Sequence, residues 1–314
     1  MTRALNPEIL SAAARSTAAP FGSLPPSETR ANYIEARKLQ ELEFLPVASI
    51  EDIAIKGDGA PLKLRLYRDT FSDDQQPCLL FLHGGGWMVG NLDTHEGLCR
   101  KLAKKTRMHV LAVDYRLAPE HPFPAGLEDA ARALSWLVRF GPDRGIDISR
   151  LAICGDSAGG NFAAVLAIMA SRGEVPKLTG QILLYPVTDL RMASESYRLC
   201  DSSLPLTPTA MRFFIDHYLP RGVDREDWRA SPLLAASLAR TPPAIVLTCG
   251  HDPLRDEGDA YARRLEQEGV AVTHLHLSDQ VHGFLNFGRA VGAVEGVVDF
   301  LASWLNDLWR TDIK

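Results

Sequence analysis

Two glycine-rich stretches hold the residue types that could do covalent chemistry. The first, Gly155-Asp156-Ser157-Ala158-Gly159, fits G-x-S-x-G. It follows the apolar run Leu151–Cys154 and precedes the helical pattern Ser157–Ser171. That context predicts a nucleophile elbow, a sharp strand-to-helix turn that lifts a serine hydroxyl out of a sheet. Side chains at 155 and 159 would collide with neighbouring backbone, and the following helix would aim its N-terminal amides and dipole at the site. The motif alone is weak, since chance supplies it in roughly one chain in ten of this size. A helix entry with a capping serine is the plainer reading.

The second stretch, "FLHGGGWMVG" from Phe81, is rarer. Three consecutive glycines are entropically expensive to order, so the backbone itself must be needed. A phosphate-cradling loop is one use of such a run. The chain has no G-x-x-x-x-G-K-[ST], and no helix pattern begins directly after these glycines. Acyl transfer is the other use. The oxyanion of a tetrahedral intermediate needs main-chain donors, and the amides of Gly84, Gly85 and Ala158 are the expected ones. Losing one such donor costs about 3–4 kcal/mol of barrier.

A serine nucleophile needs a general base, and in α/β-hydrolases the chain order is serine, acid, histidine. His83 sits in the glycine loop, and His95, His109, His121 and His217 come too early or lie elsewhere. His274 and His276 alternate along a strand pattern without an evident third metal ligand, and no metal is expected. His282, in "DQVHGF", follows the last strand pattern and precedes the last helix, which makes it the expected base. Asp252 directly follows the strand pattern ending at Cys249-Gly250 and is the expected orienter. Asp256 and Glu257 stand toward the next helix, where acids commonly cap. Asp279 is too near His282 in the chain.

The elements that would position these groups are short apolar strands alternating with helices. Strand patterns lie at Ile50–Ile55, Leu62–Tyr67, Cys78–Leu82, His109–Val113, Leu151–Cys154, Gln181–Leu184, Ala244–Cys249 and Val270–Leu277. Helical patterns lie at Ala125–Phe140, Ser157–Ser171, Gly258–Glu268 and Val291–Leu308. The fold class is α/β, with a mostly parallel central sheet flanked by helices. Residues 1–45 look helical, with a break at "SLPPSE". Residues 186–243 lack a strong strand and carry a helix pattern near Thr209–Tyr218. Both segments are expected to form a helical cap over core segments 46–185 and 244–314, since open α/β sheets place their sites at the strand carboxyl ends.

Composition excludes other classes. The 314 residues are 46% hydrophobic and 23% charged with a net charge of -5. No long basic run suggests a nucleic-acid partner, and no apolar run is long enough for a membrane span. The five cysteines are odd in number and lack C-x-x-C, which fits a reducing cytoplasm rather than a disulfide framework. The first twenty residues carry a glutamate and an arginine where a signal peptide needs an apolar stretch.

"HGGGW", "YRLAPEHPFPA", "GDSAGGN", "DPLRDEG" and "HGF" occur in this order. From about Leu79 onward the chain resembles the bacterial hormone-sensitive lipase-like esterases of the α/β-hydrolase fold. The resemblance implies a Ser157, Asp252, His282 triad, an oxyanion hole from Gly84, Gly85 and Ala158, and a cap from the two segments named above. It implies no cofactor, a small-molecule ester of short to medium acyl length, and a structural role for Glu120; it also leans toward a homodimer. His251 and Asp279-Gln280 depart from the family pattern and alter local polarity only. Trp87 and Met88, after the glycines, and the cap aromatics Phe213, Phe214, Tyr218 and Trp228 could wall an acyl pocket or serve as buried packing. A binding protein on the same scaffold would lack the histidine, and an amidase would cleave anilides as well as esters.

Overall fold

A computed structural model describes residues 4–14, 19–39, 44–70, 72, 74–200, 204–220 and 222–310. An eight-stranded sheet runs β1 (Ser49–Ile55), β2 (Leu62–Arg68), β3 (Gln76–Leu82), β4 (His109–Asp114), β5 (Ile146–Asp156), β6 (Gly180–Leu184), β7 (Ala244–His251) and β8 (Val272–Val281) in chain order. Its spatial order is β1-β2-β4-β3-β5-β6-β7-β8. Only β2 is antiparallel to its neighbours; from β4 to β8 every pair is parallel. The inner strands β3, β4, β6 and β7 are almost wholly buried because helices cover both faces, whereas β1, β2 and β8 carry exposed or half-buried polar residues.

Alternation along each strand sorts its side chains between two cores. In β3, Leu80 and Leu82 face one side while Leu79 and Phe81 face the other. The first side is filled by α4 (Ala125–Phe140), α5 (Ala158–Ser171) and α8 (Arg255–Gln267). The second is filled by α3 (Glu96–Thr106) and α9 (Ala293–Arg310). Fully burying one such leucine or phenylalanine contributes about 1.5–3 kcal/mol. Helix α5 is buried from Ala158 to Ile168, so the nucleophile turn is anchored on both of its flanks.

Helix α3 has no counterpart among the helical patterns of the sequence. Its "EGLCRKLAKKT" mixes four basic residues into the turn-by-turn pattern. Yet Leu98, Cys99, Leu102 and Ala103 form a buried stripe at helical spacing. Helix α8 begins at Arg255, three residues before the expected Gly258, and β8 runs on to Val281, next to His282.

Two further parts lie over the carboxyl ends of the strands. The first holds α1 (Pro7–Ala14) and α2 (Pro26–Leu39); the second holds α6 (Ser196–Leu199) and α7 (Pro208–Tyr218). Phe21 packs on Phe214 of α7 with ring centres 4.8 Å apart and on Tyr33 of α2 at 6.2 Å. Arg30 of α2 donates through Nε to the Met88 carbonyl at 2.7 Å and through Nη2 to the Ala118 carbonyl at 2.6 Å, and it also pairs with Glu120. No helix among the described residues is long and apolar enough to cross a membrane.

Candidate active site

The turn from β5 into α5 holds Ser157 at φ 56° and ψ −117°, a conformation rare for a residue with a side chain. Such strain costs on the order of 1–3 kcal/mol and persists only when the surroundings fix it. Here the Ser157 amide donates to the Leu184 carbonyl at 2.9 Å, and the Ser157 carbonyl accepts the Asn161 amide at 3.0 Å. The two flanking glycines have no room for a side chain: a Cβ at Gly155 would lie 2.2 Å from the Gly159 carbonyl oxygen, and one at Gly159 would lie 2.0 Å from that of Leu82.

Asp252 follows β7 and His282 follows β8, so both arrive from strand carboxyl ends. His282 Nε2 lies 2.8 Å from Ser157 Oγ, and His282 Nδ1 lies 2.8 Å from Asp252 Oδ2. The second Asp252 oxygen accepts the Leu254 amide at 2.9 Å, so both carboxylate oxygens are held. Tyr185 closes the row from one side, its ring meeting the imidazole edge-on at 4.9 Å. A carboxylate on Nδ1 leaves Nε2 free to accept the serine proton.

The glycine run departs from expectation at its first member. The Gly84 amide donates to Asp156 Oδ1 at 2.7 Å, so it is spent on the protein and is not an oxyanion donor. Among the described residues neither the Gly85 nor the Gly86 amide donates to a protein acceptor, and both residues line the cavity that contains Ser157 and His282. Gly86 escaped the sequence reading, although the run offers three amides and its spacing does not rank them. Ala158 opens α5, where a first-turn amide has no intrahelical acceptor.

Asp156 is the group that bends the run. It is 2% exposed. Burial opposes its charge, but the His95 ring, Arg37 and the Gly84 amide together bring its carboxyl down to about 2. His83, stacked on Tyr115 at 4.2 Å, is pushed down to about 3 by burial and by the neighbouring His95, so it stays a neutral, structural ring.

The cavity measures about 490 Å³, within the usual size of small-molecule sites. Phe21, Leu204, Leu206, Ala210 and Phe214 form its apolar wall. Of the six aromatic and sulfur-bearing wall candidates, only Phe214 belongs to it. Trp87 has φ 58°, which turns its ring away to stack flat on Tyr218 at 4.2 Å, 1% exposed. Met88 is fully buried in the core. Phe213 packs against Gly22 and the His217 ring. Trp228 carries the Arg172 guanidinium 4.1 Å above its ring. His274 and His276 both contact Thr248 Oγ1, at 3.0 and 2.9 Å, and His274 pairs with Asp259 at 3.0 Å.

Comparison with known proteins decides the family. A profile of the α/β hydrolase fold matches residues 79–286. The chain belongs to the α/β-hydrolase family. Its curated relatives include the carboxylic ester hydrolase LipN of Mycobacterium tuberculosis, 41% identical over 81% of this chain and 69% of the relative. Ethyl acetate hydrolase of Pseudomonas putida is 38% identical over 89% of each. Among solved structures, an α/β hydrolase from the metagenome of Lake Arreo superposes with a TM-score of 0.91 at 34% identity, covering 96% of this chain and 98% of its own. A hyperthermophilic esterase from Pyrobaculum calidifontis gives 0.91 at 33% identity, covering 98% and 99%. This α/β hydrolase therefore shares both its core and the segments above the strand ends with esterases of the same family.

Proposed function

We propose that the chain is a serine carboxylesterase that cleaves short- to medium-chain acyl esters through an acyl-enzyme on Ser157. The relatives' ester hydrolysis supports the reaction class. The observation that carries the residue assignment is the row Ser157–His282–Asp252, with both links at 2.8 Å.

Ser157 Oγ attacks the ester carbonyl carbon while its proton passes to His282 Nε2. The carbonyl oxygen becomes an oxyanion that takes the amides of Gly85, Gly86 and Ala158. Asp252 holds the Nδ1 proton and stabilises the imidazolium without accepting that proton. Collapse of the intermediate breaks the bond to the alcohol oxygen, which leaves with the proton from Nε2. Water then loses a proton to Nε2 and attacks the acyl carbon. The second intermediate collapses by breaking the acyl carbon–Oγ bond, Ser157 Oγ takes the proton back from Nε2, and the carboxylic acid is released. Ser157, His282, Asp252, the main-chain amides and water carry every bond change and proton transfer in this cycle. The apolar wall takes the acyl or alcohol chain, and residues 1–45 and 186–243 act as the cap that supplies that wall. A reducing cytoplasm and a homodimer remain part of this reading through cysteine usage and family resemblance.

A panel of aryl esters of increasing acyl length, run with wild type and Ser157→Ala, tests the proposal. It expects kcat/KM to peak at short to medium acyl length and the variant to lose turnover. Equal activity of the variant overturns the assignment of Ser157, and anilide cleavage matching ester cleavage makes the enzyme an amidase.

A further inference from the structure

Four segments that are distant in the chain meet at one buried carboxylate beside the cavity. Asp156 Oδ1 accepts the Gly84 amide at 2.7 Å, and His95 Nε2 lies 3.4 Å from the same oxygen. Asp156 Oδ2 accepts Asn286 Nδ2 at 3.2 Å. Asn286 is 3% exposed and stands one helical turn beyond His282. Its backbone carbonyl accepts Arg37 Nη1 of α2 at 3.2 Å. Arg37, 9% exposed, also donates to the Tyr33 hydroxyl through Nε at 3.1 Å and Nη2 at 2.8 Å. Tyr33, Arg37, Asp156 and Asn286 all reach the cavity that holds Ser157.

A carboxylate buried this deeply must be paired and hydrogen-bonded on both oxygens, or it reorients toward whatever donor remains. Asn286 supplies the side-chain donor on Oδ2, so it fixes the plane of the carboxylate. That plane in turn sets where Oδ1 holds Gly84, the residue immediately before the two amides that face the cavity. Arg37 grips the Asn286 carbonyl and so sets the position of the whole 286 peptide from α2.

We propose that Asn286 is a positioning residue: through Asp156 it couples the seating of the N-terminal helix α2 to the geometry of the Gly85 and Gly86 amides. The kinetic side of this rests on the ester-hydrolase reading above. A misplacement of about 1 Å at such donors costs roughly 100-fold in rate.

The test compares Asn286→Ala and Arg37→Met with wild type, singly and together. Two quantities are read: hydrogen–deuterium exchange of the peptide spanning 83–89, and kcat and KM on an aryl ester. Asn286→Ala is expected to speed exchange in 83–89 about tenfold while β3 residues 78–82 keep their protection. Its kcat falls about 10- to 100-fold with KM within about threefold. Arg37→Met speeds exchange in the same peptide, and the double variant adds little to the larger single effect. Should Asn286→Ala fail to fold, Asn286→Asp keeps the shape, removes the donor and predicts the same pattern. Unchanged exchange and kcat in the Asn286 variant overturn the proposal. So does an Arg37→Met protein that loosens α2 alone, or a double variant whose effects simply add. If wild type hydrolyses no ester, the esterase reading fails, and the exchange measurements still decide this one.

Discussion

Replacing Gly86 by alanine probes the donor amides and their cover in one step. Gly86 has φ +56°, and a Cβ there would fall 2.3 Å from Phe214 Cγ and 2.4 and 2.6 Å from its two Cδ atoms. Ordinary contact begins at 3.4 Å, so the ring or the loop must move. The ring has little freedom, because Phe214 is 2% exposed and is held by Phe21. The left-handed backbone costs alanine about 1–2 kcal/mol, and overpacking adds about 1–3 kcal/mol. Much of that conflict is relieved by swinging the residue-86 peptide, which removes an oxyanion donor. Such a loss is worth about 3–4 kcal/mol, or roughly 100- to 1000-fold in kcat. The assay is kcat on a short-chain aryl ester for Gly86→Ala, Phe214→Ala and the double variant. Phe214→Ala alone raises KM by thinning the acyl wall. In the double variant the overlap is gone and most of the lost kcat returns, leaving only the backbone strain. A wild-type kcat in Gly86→Ala, or no recovery in the double variant, refutes the reasoning.

Other expectations follow from the same geometry. Asp252→Asn preserves shape but allows the wrong imidazole tautomer, and kcat falls about 1,000- to 10,000-fold near neutral pH with thermal stability little changed. Trp87→Ala empties a buried stack and costs about 3–5 kcal/mol in urea unfolding, while KM stays near wild type; a large KM change with intact stability would restore Trp87 to the pocket wall. The Asp156 carboxyl is depressed to about 2 from an ordinary 3.8. Its stabilising contribution is therefore present above about pH 4 and is lost as pH falls toward 2. The stability gap between wild type and Asp156→Asn should stay flat from pH 8 to about 4 and narrow below that; a gap that widens in acid contradicts the assignment.

The sheet was legible because its inner strands are short continuous apolar runs, its outer strands β1 and β2 show a β pattern, and its helices carry a clear stripe, α4 being the plainest case. Helix α3 was not, because basic residues crowd its buried stripe. Membership of the α/β-hydrolase family was legible in five ordered motifs. The finer donor geometry was not. Which glycine amide faces the cavity depends on Asp156, a residue of the other motif 72 positions away, and spacing within "HGGG" carries no trace of that bond. Adjacency misled in the same way at Trp87 and Met88. They follow the glycines directly, yet the positive φ of Trp87 turns its ring toward Tyr218 and the core. Asn286 carries no motif signal of its own; its meaning appears only where the loop after β8 meets the end of β5.

The central claim is that the Ser157 hydroxyl is a nucleophile activated by His282. It is tested most directly by treating the protein with a serine-directed phosphonate and measuring the mass of each peptide. The account predicts one adduct per chain, on Ser157, formed in step with loss of esterase activity and abolished in His282→Ala. An adduct on another residue, or full labelling of Ser157 in the His282→Ala protein at the wild-type rate, would contradict it.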